Sequence, residues 1–539
     1  MNLKKIIVIL IKPKKILDII LRTYQNWMKP KLWVLFDKTL KSKNKLKAKK
    51  TKEVILIEGF WDNPNHFFRL SLLLKGLYSI ENNEIIGLLR NKDDRSKNTL
   101  LALGVKEFIY LSETPKTKND YISASKLLSN VLSHKQLLDL KLPNNFPAYI
   151  FYDTALKLKK SPQPKLKSEI WIKSLTEVFR LDRFYQKLFT KRKIKSVIVS
   201  HPWKNEFGML IAMSLKHKID CYFLYSINEM IRIKRIRNFK DIAKSPYESI
   251  SYKEFSELPK KTIRSITNAG KEYLIKRGKE INTDINVSKA YATKQNGREF
   301  LSKYNIPTDK PIVTVFCHAW YDYPHNFGMK NFTDFLDWIQ VTYEVANKNK
   351  KVTWVFKPHP TETWYGGVYL KNIIKSQKNI FIINENTSVE TVMEVTDSIV
   401  TVHGTIAIEA TVRKIPVIAA DKSYYSDWNF VETMLSRKQY INKLMNINTN
   451  KNRITKKMIN DASSFAYLSL APAEKEINIK RLISDHIKPT RIFGDLISIL
   501  KNEDESISKT SELIGEWVKS ETANFCIYHK IKFHNDNSK

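Results

Sequence analysis

One unit recurs along this chain: a short apolar run, a loop, then a stretch with helical apolar spacing. The runs are Glu53–Glu58, Glu84–Leu88, Glu107–Leu111, Ser196–Ser200 and Cys221–Tyr225, then Ile312–Cys317, Val352–Phe356, Ile380–Ile383, Ser398–Val402 and Pro416–Ala420. Helical patterns lie between them, including Ile170–Leu188 and Phe207–Leu215. Parallel strands need a long crossover, usually a helix, so β alternating with α dictates a parallel, doubly wound sheet. Two such series predict an α/β chain with two Rossmann-like lobes.

The chain has 539 residues, too many for one hydrophobic core. We divide it into a basic amphipathic segment (1–50), a first Rossmann-like domain (51–300), a second (301–470) and a helical basic tail (471–539). Residues 112–170 are polar, Lys-rich and interrupted by Pro, and read as an insertion of helices and loops. Residues 226–300 read as a helical, charged connection between the lobes.

Charge narrows the choice of partners. The chain carries 92 Lys and Arg against 54 Asp and Glu, a net +38. An anionic lipid, polysaccharide or nucleic acid is the corresponding partner class. Residues 1–52 hold 16 Lys and Arg against only Asp18 and Asp37. There, apolar patches (Ile6–Ile11, Ile16–Leu21, Leu32–Phe36) alternate with Lys clusters, and Trp27 and Trp33 flank the middle. That pattern predicts an interfacial segment on an anionic membrane surface. No apolar run is long enough to span a bilayer, and Lys12, Lys14 and Lys15 break the first patch with no cleavage site after it. The expected location is cytoplasmic, on the inner face of the plasma membrane. Cys221, Cys317 and Cys526 are too scattered for a disulfide framework or a zinc site. No nucleic-acid module is visible, so nucleic acid is not expected as a partner.

Two strand-end loops carry the chemistry. Val352–Phe356 runs into Lys357-Pro358-His359-Pro360, where the prolines stiffen the turn and fix the imidazole. Lys357 and His359 suit a phosphate and the negative charge that develops on a leaving nucleotide. Ser398–Val402 runs into His403-Gly404-Thr405. Gly404 permits close backbone approach, Thr405 is placed to cap the next helix, and Glu409 is placed to reach ribose hydroxyls. Loops at the carboxyl ends of parallel strands are where open α/β sheets bind ligands. No P-loop and no GxGxxG is present, which removes ATPase and dehydrogenase readings.

The run Gly404–Ala420 with Tyr424-Tyr425 and the upstream His359-Pro360 resembles the bacterial capsule polysaccharide biosynthesis family. The matching positions are His359-Pro360, Gly404-Thr405, Glu409 and Lys414-Ile415-Pro416-Val417-Ile418; Arg413 stands where that family commonly has Gly. The resemblance spans roughly residues 310–440 and implies a GT-B-type glycosyltransferase of Kdo-transferase kind. Bacterial sialyl- and polysialyltransferases share the His-Pro step, which implies a CMP-sugar donor, a glycan or glycolipid acceptor, and no required metal or other cofactor. Teichoic-acid polymerases share it too and imply the alternative of a CDP-polyol phosphotransferase. A UDP-sugar epimerase of the same shape stays open on the same step. A third class, a non-catalytic binder of anionic polymers, rests on the charge alone.

The general base stays open among three residues. Glu58 and Asp62 lie in the loop after the first strand, where sialyltransferases carry an acid-acid-Gly motif; this chain has Ile57-Glu58-Gly59. His201, in His201-Pro202-Trp203, is the third. Trp203, and His318, Trp320 and Tyr321 in the loop after Ile312–Cys317, are the expected sugar contacts.

Overall fold

A computed structural model describes residues 13–43, 52–80, 83–225, 231–243, 251–279, 295–360, 362, 369–447, 449–450, 453–470, 489–520 and 522–525. Ile6–Ile11, Lys12, Cys526 and the side chain of Trp27 lie outside what it describes. The strands, in chain order, are β1 (Glu53–Glu58), β2 (Glu84–Leu89), β3 (Glu107–Tyr110), β4 (Lys193–Val199), β5 (Asp220–Tyr225), β6 (Arg232–Ile236), β7 (Ile312–Phe316), β8 (Thr353–Lys357), β9 (Ile380–Ile382), β10 (Ser398–Thr401), β11 (Val417–Ala419), β12 (Glu432–Thr433) and β13 (Asn524–Phe525). The chain is α/β with two Rossmann-like sheets, as the alternation requires. It forms two compact units, one of residues 1–110, 226–231 and 472–521, the other of 111–225, 232–471 and 522–539. This grouping differs from the division at residue 300 read from the sequence: residues 111–225 go with the C-terminal half, and the tail goes with the first strands.

In the first unit β1, β2 and β3 are parallel neighbours. The helix Pro64–Tyr78 starts at Pro64, with Asn63 accepting from the Asn65 amide at 2.8 Å. Asn63 is therefore a helix cap. Gly76 lets the helix Asp504–Lys519 approach, since a Cβ there would sit 2.8 Å from the Ser511 carbonyl oxygen. The basic helix Pro13–Lys43 buries Trp33, Phe36 and Leu40. Trp33 meets Phe493 and Phe67 edge-on at 4.9 and 6.2 Å, and the Arg95 guanidinium lies 3.9 Å from its ring centre. Part of the face expected to meet a membrane is thus occupied by the unit's own core. No described helix is long and apolar enough to cross a membrane.

The second unit holds β4 and β5 in parallel, then β6 and β13 in antiparallel continuation. β6 was not foreseen: Arg232, Lys234 and Arg235 make Arg232–Ile236 read as a charged connector, yet all three are buried. The same unit holds a parallel sheet in the order β12-β11-β10-β7-β8-β9. Each of the inner strands β7, β8, β10 and β11 is buried throughout, as strands covered on both faces must be. Strand order reverses between β7 and β10, so the crevice at their carboxyl ends is the topological switch point.

Candidate active site

The loops that leave β7 and β10 flank that switch point, and one imidazole joins them. The Nε2 atom of His318 accepts from the amides of Val402 and His403 at 3.3 and 3.4 Å and lies 3.2 Å from the Thr401 hydroxyl. An Nε2 that accepts from amides carries no proton, so His318 is neutral with its hydrogen on Nδ1. Its ring stacks on Phe335 at 4.6 Å, and burial, with His403 and His359 nearby, holds its pKa well below the usual value. His318, expected on a sugar, is instead the clamp that sets the His403-Gly404-Thr405 turn. Gly404 is needed there, because a Cβ would fall 2.9 Å from the Thr401 hydroxyl oxygen and 3.8 Å from the His318 ring.

His403 is buried among rings, 4.5 Å from His318 and 4.7 Å from Phe327, and its Nδ1 has no hydrogen-bond partner. Burial pushes its pKa down to about 3, with His325 adding to the effect. His359 is half-buried; desolvation outweighs the pull of Asp322 and, with Lys357, brings it down to about 4. His318 therefore lies within electrostatic reach of both His403 and His359, and all three are neutral near pH 7.

Three expectations change. Lys357 ends β8 fully buried, donates to the Glu385 carbonyl at 3.1 Å, and is pushed down to about 8 by desolvation. It is an interior ammonium held by backbone, whereas the sequence placed it on a phosphate. Thr405 makes no side-chain cap, and the helix it precedes, Ile406–Val412, has only 7 residues. The expected dipole site for phosphate is not built. Glu409 is buried and paired with Arg277 at 3.1 Å, so its carboxylate is engaged by a guanidinium rather than left for a ribose. Arg277 lies 132 positions away in sequence, which is why the pairing was illegible. Pro360 follows His359 in the turn, half-buried.

The aromatic expectations divide. Trp320 and Tyr321 are buried, and the Trp320 indole donates to Glu362 at 3.3 Å. They are packing residues. Trp203 is half-buried and stacks on Tyr323 at 5.6 Å. His201 shares a 2.9 Å hydrogen bond through Nδ1 with the Ser200 hydroxyl. In the first unit, Glu58 is buried and accepts from the Phe60 amide at 2.7 Å, which shapes the loop behind it, while Asp62 is exposed.

The sequence missed a pair in the second unit. His325 and Asp153 are buried and bonded at 2.7 Å, 172 positions apart. The signal was present: Asp153 interrupts an apolar helical run in which Ile150, Phe151, Ala155 and Leu156 are buried. Nearby, Asp334 accepts from the Tyr152 hydroxyl and the Gln163 amide, each at 2.7 Å, and caps the helix Phe335–Lys348. These bonds fasten the helix Ala148–Lys159 to the loop after β7. Among the described residues no group of three or more His, Cys, Asp and Glu is placed to hold a metal.

No protein-family model matches the chain, and no curated protein matches it. Solved structures are similar at long range. The KpsC β-Kdo 2,4 transferase of Thermosulfurimonas dismutans shares 12% identity over 51% of this chain and 79% of its own, with a TM-score of 0.35. Methanocaldococcus jannaschii UDP-GlcNAc 2-epimerase shares 14% over 77% and 98%, at 0.25. HepE of Anabaena, solved with UDP and glucose, shares 9% over 79% and 98%, at 0.29. Likenesses this distant assign no activity.

Proposed function

We propose that this chain is a glycosyltransferase that takes a nucleotide-activated sugar, with CMP as the nucleotide, to build a bacterial capsule or other surface polysaccharide. The observation that carries the reading is the set of neutral imidazoles His318, His359 and His403 at the switch point of the second sheet. A neutral imidazole donates one N–H and accepts at the other nitrogen. In a desolvated crevice such a donor is a strong partner for a phosphate oxygen and for the charge that grows on it as the sugar leaves. His359, the half-buried member, is the residue assigned to the phosphate. His318 and His403 hold the turn after β10. CMP as the nucleotide rests on the resemblance at His359-Pro360 and Gly404-Thr405.

Attachment to an anionic membrane through residues 1–50 belongs to the same proposal. Its support is the density of Lys and Arg there, since Trp33 is committed to the interior. The test is calorimetric titration of CMP, then a screen of CMP-sugar, CDP-polyol and UDP-sugar donors. His359→Ala is expected to weaken CMP by at least about tenfold, the loss of one charge-assisted hydrogen bond. Unchanged affinity in that variant, or turnover only with CDP-polyol or UDP-sugar, overturns the reading.

A further inference from the structure

The pairing of Asp153 with His325 has the form of an acid–base device. The Asp153 carboxylate takes two hydrogen bonds from one residue, the His325 backbone amide at 3.1 Å and the Nδ1–H at 2.7 Å. A carboxylate only accepts, so Nδ1 carries a proton, and in the neutral ring the lone pair is on Nε2. That Nε2 is buried and has no hydrogen-bond partner. His325 is 5% exposed, and its ring packs against Tyr149 and Tyr152, 6.2 and 5.7 Å away. His403, on the switch-point loop, senses His325 electrostatically, and its own Nδ1 is equally without a partner. Two orphaned nitrogens in one buried region leave a cost that a bound hydroxyl removes.

The backbone points the same way. Tyr323 has φ 52°, the left-handed region, and precedes Pro324, which disfavours that conformation further. The turn carries this strain two residues before His325, and strain of this kind gathers where a side chain must be aimed.

We infer that His325 is the catalytic base that takes the proton of the acceptor hydroxyl, with Asp153 as its positioning residue. The inference rests on the transferase reading above. In the step, the acceptor O–H breaks and its proton passes to Nε2 of His325. The oxygen's electron pair forms the new bond to the anomeric carbon. The old bond from that carbon to the phosphate oxygen breaks, and its pair leaves on the nucleoside monophosphate. The ligand class at Nε2 is thus a sugar hydroxyl.

The groups facing His325 are Asp153, Tyr149 and Tyr152 on one helix, Asp334 at the start of another, Asp421 after β11 and His403 after β10. Burial lowers the His325 pKa, the carboxylates of Asp153, Asp334 and Asp421 outweigh it, and the net direction is upward. Activity therefore rises with pH along a limb above about 6.5.

The experiment uses the full chain and the donor that gives turnover in the screen above. His325→Asn is expected to lower kcat by about 100-fold or more, with donor KM and CMP affinity within about twofold of wild type. Asp153→Asn is expected to lower kcat and move the acid limb to lower pH, with Asp153→Glu restoring part of both. A merely structural role, including a bound water at Nε2, moves the melting temperature and CMP affinity and leaves the limb in place, which overturns the inference. So does a His325→Asn enzyme that keeps more than about a tenth of wild-type kcat. Should His325→Asn not fold, the limb shift in Asp153→Asn decides alone. A wild type inert toward every donor defeats the transferase reading itself, and the base with it. An active wild type matched by His325→Asn defeats the base only.

Discussion

A buried imidazole with a depressed pKa ties stability to acid. His403 is brought down to about 3 by burial, against about 6.5 in an unfolded chain. The sign follows from proton counting: below 6.5 the unfolded chain binds a proton that the folded chain refuses. The contribution is complete above 6.5 and is lost as pH falls through 6.5 toward 3. Between pH 7 and pH 5 the loss from this one group is about 2 kcal/mol. The perturbation is His403→Phe, which keeps a ring against Phe327 and Phe335 and removes the titration. The backbone amide of residue 403 still reaches His318. At pH 7 the variant should match or exceed wild type, because an unpartnered buried nitrogen is gone. At pH 5 it should lead by about 2 kcal/mol more than at pH 7. Urea unfolding at both pH values measures the difference, and subtracting the two proteins cancels every other titrating group. A gap that does not change with pH, to within about 0.5 kcal/mol, would refute the claim that His403 is neutral and desolvated.

Other consequences are open to direct measurement. Asp334→Ala removes a helix cap and strands the Tyr152 hydroxyl, for a loss of about 3 kcal/mol by chemical denaturation, and a double-mutant cycle with Tyr152→Phe should give a coupling above about 0.5 kcal/mol. Arg277→Met leaves the Glu409 carboxylate buried without its guanidinium and should cost about 3–5 kcal/mol, whereas the loss should be smaller in Arg277→Met with Glu409→Gln. Lys414 sits at φ 60° just past the helix Ile406–Val412, so Lys414→Gly should be neutral or raise stability by up to about 1 kcal/mol. CMP binding should take up protons below about pH 6, because a phosphate beside His359 raises a pKa that starts near 4; titration in buffers of different ionisation enthalpy reads the number.

Ten strands were legible as short, mostly apolar runs and lie within a few residues of where the sequence puts them, whereas β6, β12 and β13 were not. β6 was illegible because Arg232, Lys234 and Arg235 present charge to a reader while burying their stems in the fold. The site was legible in part. His359 and the His403-Gly404-Thr405 turn follow strands directly, so their position at the sheet's end is a local fact. Their partners are not local: His318 reaches across 85 positions to the His403 amide, and Asp153 across 172 to His325. Motif reading assigns a polar residue to a ligand because it cannot see such partners. Lys357, Glu409 and Trp320 were assigned outward for that reason, and each is satisfied within the protein.

Departures from local rules locate the site without any resemblance to a family. Nine described residues other than glycine have positive φ; eight are Asn or Lys, and the ninth is Tyr323. Asn visits the left-handed region readily, and an exposed Lys pays little more than its Cβ strain, whereas a bulky ring there ahead of a proline is held by its surroundings. Unpartnered imidazole nitrogens occur at His325 and His403, and a buried lysine at the end of β8. Tyr323 and His325 lie in the loop leaving β7, Lys357 ends β8, and His403 follows β10. A sheet built only for stability has no need of histidine at 403 or of tyrosine at 323, so these two costs beside the switch point argue that a ligand binds there.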